Sequence, residues 1–269
     1  MNTYLPIIVA ILYFAAASVL FGRLSRGAEA TQRPKYLPIA LGLVAAGIHF
    51  TVIYGAIFTD TGLNLAFFNV LSLVMDLVAV LLLLSALYRP VENLGIALLP
   101  LAGIASLLRW GLGGDIEHAA YQDPGVQSHI LFSVIAYSLL SIAAVQAIVL
   151  AVQNRHLRNR HPGGFIRALP PLETMESLLF QMIGIGYLLL SISLVTGFVF
   201  LEDLFAQRLV HKTVLSLVAW GVFTALLWGR WHFGWRGRTA IRWTLAGFLT
   251  LMVAYFGSRL VIEFIVGTG

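Results

Sequence analysis

A chain of 269 residues with 59% hydrophobic and 11% charged side chains, and a mean hydropathy of +0.88, is too apolar for a water-soluble globular domain. Its formal charge of +5 is confined to short loops between apolar runs, where Lys and Arg report membrane orientation, and this argues against nucleic acid as a partner. With no cysteine there is no disulfide, thiolate metal site, redox dithiol or C-x-x-C-H haem attachment, so the chain is not itself a c-type cytochrome.

The first apolar run, 4–22, has no positive residue before it and four after it, the reverse of a signal peptide, and reads as a retained span. Further runs follow at 36–58, 65–87, 93–110, 128–153, 175–201, 212–228 and 239–266, each near the roughly 20 residues that cross a hydrocarbon core. The expectation is an all-α, polytopic membrane bundle of about eight transmembrane helices, forming a single transmembrane domain over 1–269. Its fourth and seventh spans are the shortest. No repeat, low-complexity tract or long linker interrupts the pattern.

The cations fall in alternate loops: Arg23, Arg26, Arg33 and Lys35; Arg89; Arg155, Arg158, Arg160 and Arg167; Arg230, Arg236, Arg238 and Arg242. Those loops should face the cytoplasm. The intervening loops hold Asp60, then Asp115, Glu117 and Asp123, then Glu202 and Asp203, and both termini should face outward. Such a compact chain suits a bacterial inner membrane.

Within lipid, every ionisable side chain calls for an interior partner or a function. His49 lies inside the second span, about 14 Å from its outer end at 1.5 Å per residue. Asp76 sits near the middle of the third, either as a functional group or as a carboxyl kept neutral by its surroundings. His118 falls in the outer loop before the fifth span, His129 opens that span, and His211 opens the seventh. Neutral imidazole binds iron, and two imidazoles on facing helices can grip a haem from both sides, so the outer histidines are candidates for such a pair. The alternative is that each merely hydrogen-bonds at a helix end. His156 and His161 belong to a solvated basic loop, and His232 ends the seventh span on the cytoplasmic side.

Arg109, Arg208 and Lys212 gather at the outer ends of spans four and seven, where they could pair with haem propionates or snorkel to headgroups. Arg259 and Glu263, four residues apart in the last span, share a helix face and can neutralise each other. Trp228, Trp231, Trp235 and Trp243 read as an interfacial aromatic belt, whereas Trp220 lies well inside span seven, where it can pack on a helix or a planar ligand.

Three stretches together resemble the haem-handling membrane proteins of cytochrome c assembly, the family that includes CcsA, CcmC and HemX. They are SHILFSVIAYSLLSIAAVQAIVLAV, headed by His129; PPLETMESLLFQMIGIGYLLLSISLVTG, from Pro170 to Gly197; and HKTVLSLVAWGVFTALLWGRWHFGWRGR, from His211 to Arg238. The resemblance is strongest over 128–260. It implies that His129 is an axial haem ligand, with His211, His118 or His49 as its partner and His232 near a second, inner site. Arg208 and Lys212 would then neutralise propionates. Where the family carries a tryptophan-rich outer segment ending in Trp-Asp-Pro-Lys-Glu-Thr, this chain has FLEDLFAQRLVHKT, without tryptophan and with only Lys212 of the Asp-Pro-Lys-Glu run kept. A second outer ligand histidine has no counterpart in YFGSRLVIEFIVG. The combination is similar to the short YpjD-like branch. It implies haem binding, and presentation of haem outward to a cytochrome c assembly partner, with no covalent catalysis by this chain. Two other functions compete: a non-haem accessory or regulatory membrane subunit, and a small-solute transporter using Asp76 and His49.

Overall fold

The computed structural model describes residues 4–26, 35–59, 62–113, 123–159, 168–200 and 210–257. Among them are eight helices long and apolar enough to cross a membrane. The chain is an all-α polytopic protein, as its hydropathy requires: a helix satisfies its own backbone hydrogen bonds, which lipid cannot do.

Helix α1, Leu5–Ser25, begins with Pro6 in its first turn, where the missing N–H costs nothing. After α2, Tyr36–Ile57, the chain turns through a short antiparallel pair, β1 (Phe58–Thr59) and β2 (Gly62–Leu63), with Phe58 opposite Leu63. Gly62, at φ 137°, takes a backbone conformation that L side chains rarely adopt. Helix α3, Phe67–Tyr88, follows, then a 3₁₀ turn, Glu92–Leu94, running into α4, Gly95–Leu112. The remaining spans are α5 (Pro124–Arg158), α6 (Leu172–Phe200), α7 (Val210–Phe233) and α8 (Gly237–Met252), the last continuing into a π turn, Val253–Gly257.

Two spans depart from the expected lengths. Helix α5 has 35 residues, about 52 Å at 1.5 Å per residue, well beyond the roughly 30 Å hydrocarbon core. The polar run QNRHLR stays helical because no Gly or Pro stands between 126 and 159 to stop it. Helix α7 runs past the expected 228 to Phe233 and ends where Gly234 turns to φ 64°.

The chain divides into two compact units, one of residues 1–118 and 152–174, the other of 119–151 and 175–269. In the first, α1 packs on α2 and α4, and α3 packs on the same two, so the four helices close a ring around Tyr13, Leu20, Ile53, Leu82 and Leu99. Small residues bring the backbones together: a Cβ on Gly103 would stand 3.2 Å from the Ala10 Cα. In the second unit α8 and the π turn pack on α7. Gly247 lies against the buried Phe223 ring, and Gly186 of α6 against Leu140 of α5. Large apolar side chains such as Ile11, Phe21, Phe50, Ile185, Leu188 and Leu249 stay on the outside, where lipid rather than water is their solvent.

Candidate functional site

In the second unit the site is built around the start of α5. The Asp123 carboxylate accepts the Gly125 N–H at 2.6 Å and Pro124 occupies the first helical position, so this end is well capped. His129 lies one turn further on, half-buried, with Nδ1 2.7 Å from the Ser193 carbonyl oxygen of α6. A carbonyl only accepts, so Nδ1 must carry the proton and donate; the lone pair of the neutral ring then resides on Nε2. Among the described residues Nε2 makes no hydrogen bond. The imidazole therefore fits the requirement for a ligand to haem iron, a neutral ring anchored through one nitrogen and, among the described residues, without a hydrogen bond at the other.

Helix α6 is tied on its other side to α7. The Trp220 indole N–H donates to Ser191 Oγ at 2.9 Å, its ring stacks on Tyr187 with centroids 5.8 Å apart, and the Tyr187 and Thr224 hydroxyls meet at 3.0 Å. Trp220 thus packs on a neighbouring helix and satisfies its own polar atom, one of the two roles open to it from sequence.

The other expected site residues divide. His211, in the first turn of α7, is exposed, and no hydrogen bond or ring contact among the described residues joins it to His129. Its neighbour Lys212 places Nζ 5.6 Å from the centroid of the Tyr255 ring. His232 lies 21 residues from His211 along α7, about 32 Å at 1.5 Å per residue, so the two mark opposite ends of one span. The His232 ring stacks on Trp228 with centroids 3.9 Å apart. His118 and Arg208 lie outside the described residues, as do Arg259, Glu263 and most of the tryptophan-free stretch.

His49 belongs to the first unit, where it is completely buried. Its Nε2 is 2.8 Å from Ser72 Oγ, and its Nδ1 is 3.4 Å from Asp76 Oδ1, a close electrostatic contact short of hydrogen-bond geometry. Tyr13 completes the group by donating its hydroxyl to the same Asp76 oxygen at 3.1 Å. A metal at His49 Nε2 would have to displace Ser72. Arg109 of α4 is also buried, with Nε unpartnered among the described residues.

Sequence reasoning passed over two residues. Tyr13 carries the one hydroxyl aimed at Asp76 from α1, and its signal was a phenol in mid-span beside no interface. Glu176, at the start of α6, accepts Arg236 Nε at 2.9 Å and the Gly237 N–H at 2.7 Å. It joins two of the stretches that carry the family resemblance, and the signal was a second carboxylate, three residues after Glu173, entering the apolar run that begins at Leu178. Among the described residues, no three His, Asp or Glu side chains gather as a metal-holding group.

A family model described as cytochrome C assembly protein matches residues 37–266, extending well before the stretch where the motifs are strongest. Similar proteins include the inner membrane protein YpjD of Escherichia coli strain K12, 37% identical over 210 residues that cover 77% of this chain and 78% of that protein. The cytochrome c biogenesis protein CcsA of Thermosynechococcus vestitus is 24% identical over 209 residues, 62% of this chain and 66% of that protein. Protein HemX of Brevibacillus brevis is 21% identical over 132 residues, 48% of each. No solved structure matches.

Proposed function

Because this chain belongs to the cytochrome c assembly family and is a multi-pass inner membrane protein, we propose that it binds haem through His129 and holds or presents it at the outer membrane face. The observation that carries the reading is the His129 ring itself. Its Nδ1 is spent on the Ser193 carbonyl, and among the described residues its Nε2 makes no hydrogen bond. Haem would supply an iron that takes imidazole nitrogen and can change oxidation state.

The chain's own residues bind and orient. His129 would supply one imidazole nitrogen to the iron, from a helix start capped by Asp123. His211 is the second ligand assigned here, since it also opens a span in the same unit. Lys212 and Arg208 would face the propionates, and the apolar spans would restrict water. The alternate placement of cations supports an outward-facing start for α5 and α7. Partners in cytochrome c assembly would take haem from that face, although the missing tryptophans argue for a different hand-over from that of the longer family members.

The test is purification in mild detergent from haem-sufficient cells, with haem quantified per chain and reduced-minus-oxidised spectra recorded for the wild type and for His129→Ala. Stoichiometric haem with a bis-imidazole spectrum, lost in the variant, is the expected result. A folded, haem-free wild type would overturn the reading and leave an accessory subunit, which the loss of the tryptophan-rich segment favours.

A further inference from the structure

Three hydrogen bonds close a circuit around His129, and the direction of each is forced. Ser133 Oγ lies 2.7 Å from the His129 carbonyl, one turn back on α5, and must donate to it. Having given up its only proton, Ser133 can only accept at its 2.6 Å contact with Ser193 Oγ, so Ser193 is the donor there. The Ser193 carbonyl in turn accepts the Nδ1 proton of His129 at 2.7 Å. Ser193 is buried, so water cannot readily replace these partners.

We propose that Ser133 and Ser193 are positioning residues that hold His129 in the tautomer with Nδ1 protonated, so that Nε2 is presented to iron. The inference rests on the haem reading and adds to it which nitrogen ligates and what keeps it so. The opposite tautomer would set the Nδ1 lone pair against the Ser193 carbonyl lone pairs and break the circuit. The Ser133–Ser193 bond crosses from α5 to α6 and fixes the rotation of α6 that aims the carbonyl at the ring. A donated Nδ1–H also makes the imidazole more basic, which favours ferric over ferrous iron. Hydroxyl pairs between membrane helices often serve packing alone, and that role would leave the ligand's electronic character untouched.

The decisive experiment uses the full chain with His129→Gly, loaded with haemin and titrated with three free azoles. 4-Methylimidazole reproduces the histidine side chain and keeps its N–H; 1-methylimidazole has the same size but no N–H to donate; imidazole is the unsubstituted reference. The expected result is that the two N–H azoles restore the low-spin spectrum, while 1-methylimidazole binds on the order of 10–100-fold more weakly than 4-methylimidazole. Equal binding of the two methylimidazoles would overturn the proposal while leaving the haem reading intact. A wild type without haem would overturn both. Independently, Ser193→Ala should raise the haem midpoint potential, and Ser193→Thr, which keeps the hydroxyl, should restore it. A potential unchanged in a folded Ser193→Ala protein would count against any role beyond packing, and the azole comparison does not depend on that variant folding.

Discussion

Asp76 of α3 and His49 of α2 face each other inside the first unit, Oδ1 to Nδ1 at 3.4 Å, and the Tyr13 hydroxyl of α1 donates to the same carboxylate oxygen at 3.1 Å. Three consecutive helices are thereby joined at one buried atom. An unpartnered polar group is costly inside a membrane protein, so the pair holds the α1, α2 and α3 packing in a single register. Tyr13→Phe removes one donor and leaves the ring in place. It should destabilise the protein by about 1–3 kcal/mol in reversible detergent unfolding, without lowering haem per chain. Loss of haem in a stable Tyr13→Phe variant would show instead that this cluster belongs to the cofactor site.

Glu176 is the corresponding fastening in the second unit. Arg236 is about half exposed, 53%, so the ion pair itself contributes little; the weight falls on the bond from the Gly237 N–H at the first turn of α8. Glu176→Ala should cost about 1.5–3 kcal/mol, chiefly from that charge-assisted bond, and Arg236→Gln clearly less. Unfolding midpoints of the two variants give the comparison, and an equal loss would refute the ranking.

Gly103 of α4 faces the backbone of α1, where a Cβ would stand 3.2 Å from the Ala10 Cα, a backbone atom that cannot swing aside as a side-chain end can. Gly103→Leu should therefore separate α1 from α4 at a cost of about 1–3 kcal/mol from overpacking. Gly47 has open space where its Cβ would be, and Gly47→Leu should be tolerated. Thermal aggregation in detergent distinguishes the two.

His211→Ala tests the assigned second ligand. The expected outcome is haem retained on His129 with conversion from a low-spin to a high-spin spectrum, read by absorbance and electron paramagnetic resonance. An unaltered low-spin spectrum would exclude His211 and turn the search to His118.

The eight spans were legible in the sequence because lipid leaves a helix no alternative: about 20 apolar residues bounded by charge can do little else. Family membership was legible too, since the motifs around His129, Gly197 and Gly234 are local in the chain. The length of α5 was missed because hydropathy marks where lipid ends, whereas a helix continues into water until something breaks it. Partnerships across helices were decided only by the tertiary structure. A sequence shows that His49 and Asp76 are polar residues within apolar runs and that His129 opens one, but rotation about each helix axis sets what they meet. In the first unit His49 meets Ser72, whereas in the second His129 meets the Ser193 carbonyl through Nδ1 and, among the described residues, makes no hydrogen bond through Nε2. Two histidines of the same chemistry thus acquire different roles, because packing, which no single helix encodes, chooses the atom each nitrogen faces.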